Sequence, residues 1–431
     1  MMQEPFLWSN LSEEYVMKPK IGLTTSGFEG WSGGFDFFEN LIAGICAVGH
    51  PRELSQIYAS RFGISYLLSK YAAPVLTAGR HFLRSGELKY NVATNVDPAD
   101  VSKTLAAYID KANLINVAAR WSAHERAAVL DHIDVLIPCM KPPSAKYKGA
   151  WVGYLYDCQH KHYPEFFSQR EISARDKQFQ QMLDSSDHVM VNSRAVISDI
   201  SSFYGLANAK LHSLPFAPIL KPEHLQSKGD CRSSYGINRP YFIVCNQFWK
   251  HKNHLLLFKA FAKFYAQTDQ CFQLVCTGST LDYRFPGYFG ELQAYSESVG
   301  GGDAIRILGR IPRLDQISLM RRAIAVVQPT LFEGGPGGGS AYDSVALGLP
   351  LILSDISVNK EVISDHSVTY FDPFSVDSLE LALHHISQKP LARVCDEVLL
   401  QTSRNRAITL GNALLNICKT AVEDLQRDLA N

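Results

Sequence analysis

The sequence lacks the features that would mark an exported, membrane-spanning or nucleic-acid-binding chain. Its nine cysteines, Cys46, Cys139, Cys158, Cys231, Cys245, Cys271, Cys276, Cys395 and Cys418, are odd in number, scattered and never spaced as CxxC. They read as reduced thiols of a cytoplasmic protein, not as a disulfide framework or a thiolate zinc site. No run approaches the roughly 20 apolar residues of a membrane span, although docking on a membrane surface stays compatible with that absence. The opening residues MMQEPFLWSNLSEEYVMKPK have neither a charged leader nor an apolar core, so no secretory signal is expected. Charge is balanced, with 42 Lys and Arg against 42 Asp and Glu, so no nucleic-acid or acidic-polymer partner is expected. No DxD motif, short-period repeat or low-complexity tract is present.

What is present is length and alternation. A chain of 431 residues exceeds what one hydrophobic core usually supports, so two domains are expected. Residues 20–28, KIGLTTSGF, read as a strand entering a loop, and GWSGGFDFFENLIAGICAVG then opens with glycines and continues at helical spacing. Apolar strands at 129–139, 150–160 and 188–193 alternate with amphipathic helices, the pattern of a parallel sheet covered on both faces. Residues 51–128 give few anchors. The stretch LPFAPILKPEHLQSKGDCRSSYGINRP, rich in Pro, Ser and charge, reads as an interdomain linker, after which the alternation restarts with YFIVCNQ. The expected organisation is an α/β pair of doubly wound, Rossmann-like domains facing each other across a cleft. Their bounds are 1–216, a linker at 217–239, 240–400, and a final helix at 401–431 packing back toward the first domain. Ligands of such sheets bind at the carboxyl ends of the strands, here the shared cleft.

The segment LFEGGPGGGSAYDSVALGLPLILSD concentrates the chemistry. Glu333 and Asp343 bracket a run of nearly bare backbone, in which glycines allow positive φ and close ligand approach while carboxylates accept hydroxyl hydrogen bonds. Lys252, in KHKNH just ahead of the helix HLLLFKAF, places a cation beside helix-end amides, an arrangement suited to a diphosphate; Lys250, His251 and Asn253 are its neighbours. In the first half, Gly33 and Gly34 open a helix after the first strand, as phosphate-contacting glycines or as a plain turn. YDCQHKHYPEFF brings Asp157, His160 and His162 to the end of an apolar strand, and Ser193 follows another as a cleft residue or a helix cap. No third ligand accompanies the two histidines, so no metal site is expected.

In order, NQFWKHKNHLLLFKAFAKF, LVCTGS, LGRIPRLDQISLMRRA and QPTLFEGGPGGGSAYDSVALGLPLILSD resemble the successive blocks of retaining family 4 glycosyltransferases, the glycosyl transferases group 1, which have the GT-B fold. The likeness covers nearly all of residues 240–375 and, more loosely, 18–215. It implies that Glu333 lies near the donor sugar, that the amides of Gly334, Gly335, Gly337 and Gly338 hold its hydroxyls, and that a second carboxylate binds the ribose. The family places that carboxylate eight positions on, where this chain has Ala341; an insertion of two brings Asp343 into the role, against the alternative of a helix cap. The family's phosphate-binding Arg corresponds to Gln247, leaving more of that work to Lys252. The resemblance further implies Ile311 at the nucleobase, His160 at the donor sugar, and front-side displacement in which the leaving diphosphate helps deprotonate the acceptor. The implied activity moves a hexose from GDP-mannose or a UDP-sugar to a glycan or lipid-linked acceptor, in surface-polysaccharide synthesis, with no cofactor and no metal. The site would be cytoplasmic, at most peripheral to the inner face of a membrane. A sugar-nucleotide epimerase or hydrolase and a non-catalytic sugar-binding subunit are the alternatives.

Overall fold

A computed structural model describes residues 19–24, 28, 32–48, 56–61, 114–118, 133–143, 147–205, 208–221, 224–225, 229–363, 368–389 and 393–431. The described residues form two parallel sheets. The first holds β1 (Ile21–Thr24), β2 (Gln56–Arg61), β3 (Leu114–Ala118), β4 (Val135–Cys139), β5 (Ala150–Leu155), β6 (His188–Val191) and β7 (Lys210–Ser213), in the order β3-β2-β1-β4-β5-β6-β7. The second holds β8 (Tyr241–Cys245), β9 (Gln273–Thr277), β10 (Ile305–Gly309), β11 (Val326–Gln328), β12 (Leu351–Ser354) and β13 (Val368–Phe371), in the order β10-β9-β8-β11-β12-β13. Strand order reverses between β1 and β4 in one sheet and between β8 and β11 in the other. A crevice opens at each reversal, because the loops leaving those two strands turn to opposite faces.

The strands are apolar because helices cover both sides: every described residue of β1, β4, β9 and β12 is buried. The helices begin where local chemistry tells them to. Helix Gln169–Ser185 begins at a capping box, with Ser168 accepting from the Glu171 amide and Glu171 accepting from the Ser168 amide. Helix His254–Gln267 begins after Asn253 in the left-handed conformation, φ 57°. The expected helix over DSVALG starts earlier than the sequence suggests, at Gly338, and runs to Ala346. Gly337, at φ 66°, turns the chain into it, so the second half of the glycine run is the first turn of a helix.

Two segments connect the domains side by side. In the linker, Leu214 and Ala217 pack in the first-domain core, and Phe216, Leu220 and Ile237 in the second. The long helix Asp396–Ala430 makes the return crossing: Leu399 belongs to the second-domain core, whereas Leu410, Leu414, Ile417, Cys418, Ala421 and Val422 complete the first. Ser403 on that helix accepts the Leu220 amide at 2.6 Å and ties the two crossings together. The helix lies so close to helix Ser32–Ala47 that Gly44 and Gly411 touch backbone to backbone; a methyl on Gly44 would sit 3.1 Å from the Gly411 nitrogen, and one on Gly411 would strike the Gly44 carbonyl.

Candidate functional site

Lys252 and Glu333 are 81 positions apart and meet at the second-domain crevice. The loop after β8 carries Lys252 on a short 3₁₀ turn, Lys250–Lys252, and the loop after β11, the neighbouring strand, carries Glu333. Lys252 Nζ donates to Glu333 Oε1 at 2.5 Å, with both side chains largely covered. A buried amide frame fixes the acid. Gln328 Nε2 donates to Glu333 Oε1 at 3.2 Å and to the Gly337 carbonyl at 2.8 Å, while Gln328 Oε1 accepts from Asn246 Nδ2 at 2.5 Å and from Ser340 at 3.1 Å. Asn359 Oδ1 accepts the Gly337 amide at 2.9 Å, and Asn359 Nδ2 donates to the Ser354 carbonyl at 2.8 Å. Hydrogen bonds that join Gly337 to Gln328 through its carbonyl and to Asn359 through its amide hold the glycine loop in place.

Glycine is required in this loop for two different reasons. At Gly338 φ is 66°, and a Cβ would lie 2.8 Å from Gln328 Nε2 and 2.9 Å from Glu333 Cδ, so a side chain would push the acid aside. Gly334 faces the other domain. A Cβ there would strike the Tyr156 carbonyl oxygen and lie 2.7 Å from Asp157 Cβ. Gly335 meets Asn192 Cβ only at an ordinary 3.4 Å.

The first domain closes over the loop with polar contacts. Ser193 caps helix Arg194–Tyr204 by accepting the Val196 amide at 3.2 Å and also donates to the Gly334 carbonyl at 3.1 Å, so its two sequence readings both hold. Glu361, from the second domain, accepts the amides of Arg194 and Ala195 at 2.9 and 2.8 Å, placing a carboxylate on the positive end of a first-domain helix. Tyr163 donates to the Leu331 carbonyl at 3.2 Å.

His160 does not stand in this cleft. Its ring is enclosed by Phe167 and Phe179, its side chain is fully covered, and Nε2 is 3.1 Å from both Asp176 and the Tyr204 hydroxyl. Burial lowers its pKa against the pull of Asp176, which fits a neutral interior ring. The four-residue helix Gln159–His162 turns position 160 inward and leaves His162 outward, against Phe332 and hydrogen-bonded to Asp199 at 2.8 Å. The residues that face Gly334 are Tyr156 and Asp157, directly at the end of β5. Burial raises the Asp157 pKa, partly offset by Arg175.

The other expected contacts divide similarly. Asn253 spends its side chain on the Pro373 carbonyl at 2.9 Å, which stabilises its left-handed backbone. Gln247 is half-buried, and Ile311 packs at the edge of the second-domain core just beyond β10. Gly33 and Gly34 lie in the first turn of helix Ser32–Ala47, the former exposed and the latter buried. Asp343 is held at 2.5 Å by Arg313 Nη2. Opposite them stands Asp36 of the first domain, reached by solvent yet set deep enough that burial raises its pKa, with Arg313 lowering it and Asp343 raising it.

Sequence reading missed Asn246, Gln328 and Arg313, whose positions gain meaning only when β8 pairs with β11 and β10 joins the same sheet beyond β9. It also missed Gly278, which ends β9 at φ 140° because the Asn246 carbonyl passes where a Cβ would be. Among the described residues there is no cluster of three or more His, Cys, Asp or Glu side chains able to hold a metal, and no helix long and apolar enough to cross a membrane.

Residues 230–397 match the family described as glycosyl transferases group 1. The fold is similar to that of HepE from Anabaena, solved with UDP and glucose, at a TM-score of 0.54 and 14% identity over 96% of this chain and 100% of that one. It is also similar to WaaG, a glycosyltransferase involved in lipopolysaccharide biosynthesis (TM-score 0.53, 15% identity, 94% and 99% covered). Sucrose-phosphate synthase from Thermosynechococcus elongatus is a third such structure (TM-score 0.53, 13% identity, 95% and 98% covered). No curated protein matches the chain in sequence.

Proposed function

We propose that this chain, a glycosyltransferase whose residues 230–397 are a glycosyl transferases group 1 domain on a GT-B fold, is a retaining hexosyltransferase using a nucleotide sugar. A UDP-hexose is the preferred donor, because HepE was solved with UDP-glucose. The acceptor is a glycan or lipid-linked sugar of surface polysaccharide.

The observation that carries this reading is the Lys252–Glu333 pair beneath the glycine loop. The two charges compensate each other at 2.5 Å. With donor bound, Lys252 turns to the diphosphate and neutralises charge as the glycosidic bond lengthens, and Glu333 is released to accept sugar hydroxyls. The amides of Gly334 and Gly335 orient the hexose, those of Gly337 and Gly338 being spent on Asn359 Oδ1 and the Gly335 carbonyl, and Asp343 takes the ribose. Gln247 donates a hydrogen bond without charge, so Lys252 carries the electrostatic load, and the reaction runs without a metal. Protein groups thus supply orientation and charge stabilisation, and the leaving phosphate accepts the acceptor proton during front-side attack.

The test is transfer from UDP-hexoses to an acceptor panel, with the anomeric configuration of the product read by NMR. Lys252→Ala should lower kcat by about 100-fold or more in a chain that still folds, the scale of removing one preorganised charge stabiliser. Full turnover in that variant removes the assignment, and an inverted product removes the retaining mechanism.

A further inference from the structure

Around Phe167 the two domains meet through cations stacked on aromatic rings. Arg175, on helix Gln169–Ser185 of the first domain, holds its guanidinium carbon 4.7 Å from the centre of the Phe167 ring and 5.3 Å from that of Tyr156. Arg284, from the second-domain loop after β9, stands 4.6 Å from the same Phe167 ring and 4.7 Å from Trp249. Stacking fixes where the guanidinium groups lie and leaves their N–H edges for another partner.

The protein does not supply that partner. A guanidinium has several N–H donors and no acceptor. Arg284 Nη1 reaches Gln159 Oε1 at a long 3.4 Å, and Arg175 has a loose ion pair with Asp157 at 3.7 Å. Arg175 Nη1, the atom of that ion pair, and Arg284 Nε are enclosed and make no hydrogen bond. The Arg175 side chain nevertheless keeps 25% of its surface exposed, so a solute can reach its remaining donors. Two cations from opposite domains, stacked on one ring and short of acceptors, need more negative charge than Asp157, 3.7 Å from Arg175, and the more distant Glu171 provide.

We propose that Arg175 and Arg284 form an oxyanion site across the domain seam that takes a phosphate or carboxylate group. Such a group has enough lone pairs to accept from both guanidinium edges, and charge-assisted hydrogen bonds of this kind are the strong ones. A neutral sugar hydroxyl would leave the excess positive charge uncompensated. Because each domain contributes one arginine, the anion binds the closed arrangement better than an open one and shifts the population toward closure. Asp157 lies between Arg175 and Gly334, so the bound group sits at the edge of the cleft beside the glycine loop. The anion comes from an acid group on the acceptor or from the diphosphate of a nucleotide sugar. That choice of carrier rests on the glycosyltransferase reading, whereas the site itself does not.

The experiment is calorimetric titration of the full-length protein with orthophosphate and, separately, with UDP. Parent, Arg175→Gln, Arg284→Gln and Lys252→Ala chains are compared, each first checked for its unliganded melting temperature. Orthophosphate should bind the parent and the Lys252→Ala chain, and about ten-fold more weakly in each Gln variant. If a Gln variant does not fold, the corresponding Arg→Lys chain, which keeps charge but loses the fork, should show the same weakening. A parallel loss of UDP affinity assigns the anion to the donor; retained UDP affinity with glucuronate competing against orthophosphate assigns it to the acceptor. Absence of phosphate binding in the parent, parent affinity retained in both arginine variants, or loss confined to Lys252→Ala overturns the proposal. None of these readings uses sugar transfer, so a chain that binds phosphate this way but transfers nothing would refute only the proposed function.

Discussion

Gly334→Ala isolates domain closure from backbone strain. Gly334 is not at positive φ, so alanine is conformationally acceptable there, and the whole effect falls on what the new methyl meets. It meets the other domain: the Tyr156 carbonyl oxygen and, at 2.7 Å, Asp157 Cβ. An ordinary contact begins near 3.4 Å, so the walls must part by about 0.7 Å or more, and backbone on one side cannot rotate away. A misplacement approaching 1 Å costs up to about 10²-fold in rate, so kcat should fall roughly ten- to a hundred-fold. Stability should suffer less, because the cleft relieves the clash by opening. The main loss is then the Ser193–Gly334 hydrogen bond, worth about 1 kcal/mol. Gly335→Ala is the internal comparison, since its methyl makes only a 3.4 Å contact with Asn192 Cβ. The assay is steady-state transfer at saturating donor, with melting temperature measured on the same samples. Parent turnover in Gly334→Ala, or equal damage from both substitutions, would refute the reasoning.

Gly411→Ala should drive helix Asp396–Ala430 off the Gly44 carbonyl and cost about 1–3 kcal/mol, read as a lower denaturant midpoint; an unchanged midpoint means the helices can part freely. His254 is wholly buried against Phe248, with both ring nitrogens unpartnered, and burial pushes its pKa down to about 3 from the usual 6.5. The unfolded chain therefore takes up the proton first, and stability present above pH 6.5 is lost as pH falls toward the folded value. The loss should be about 1.4 kcal/mol per pH unit between roughly pH 6 and 4. His254→Phe should flatten that part of the urea-denaturation pH profile, and an identical slope in both chains would sink the account. Arg313→Met frees Asp343 from its 2.5 Å partner and leaves it facing Asp36, so nucleotide affinity should weaken about ten-fold with kcat less affected. Isothermal titration with UDP checks it, and unchanged affinity would mean that Asp343 does not serve the ribose.

Much of the architecture was legible because its signals are local. Apolar runs of strand length, helical spacing and the turn chemistry after each strand reveal the alternation from YFIVC to VTYF, and the Pro- and Ser-rich break reveals where it restarts. The signal failed over residues 51–128, where β2 and β3 are found among few anchors, and at β7, whose residues are largely half-exposed. It also misjudged the start of helix Gly338–Ala346, because glycine carries a strong loop signal and only the hydrogen bond from Gly337 to Asn359 shows the chain already turning.

By itself the sequence determined which residue types could do the chemistry: a lysine ahead of a helix, an acid opening a glycine run, a second acid beyond it. Tertiary structure alone decided which of them meet. Lys252 and Glu333 touch because β8 and β11 are neighbours at the strand-order reversal, which no local pattern encodes. The histidines of HKH could not be sorted by spacing, since a short helix turns positions two apart to opposite sides; packing against Phe167 and Phe179 buries His160 and leaves Tyr156 and Asp157 to face the loop. Arg175 and Arg284 were invisible for the same reason. They lie 109 positions apart in different domains, and only closure of the cleft sets both against one phenyl ring.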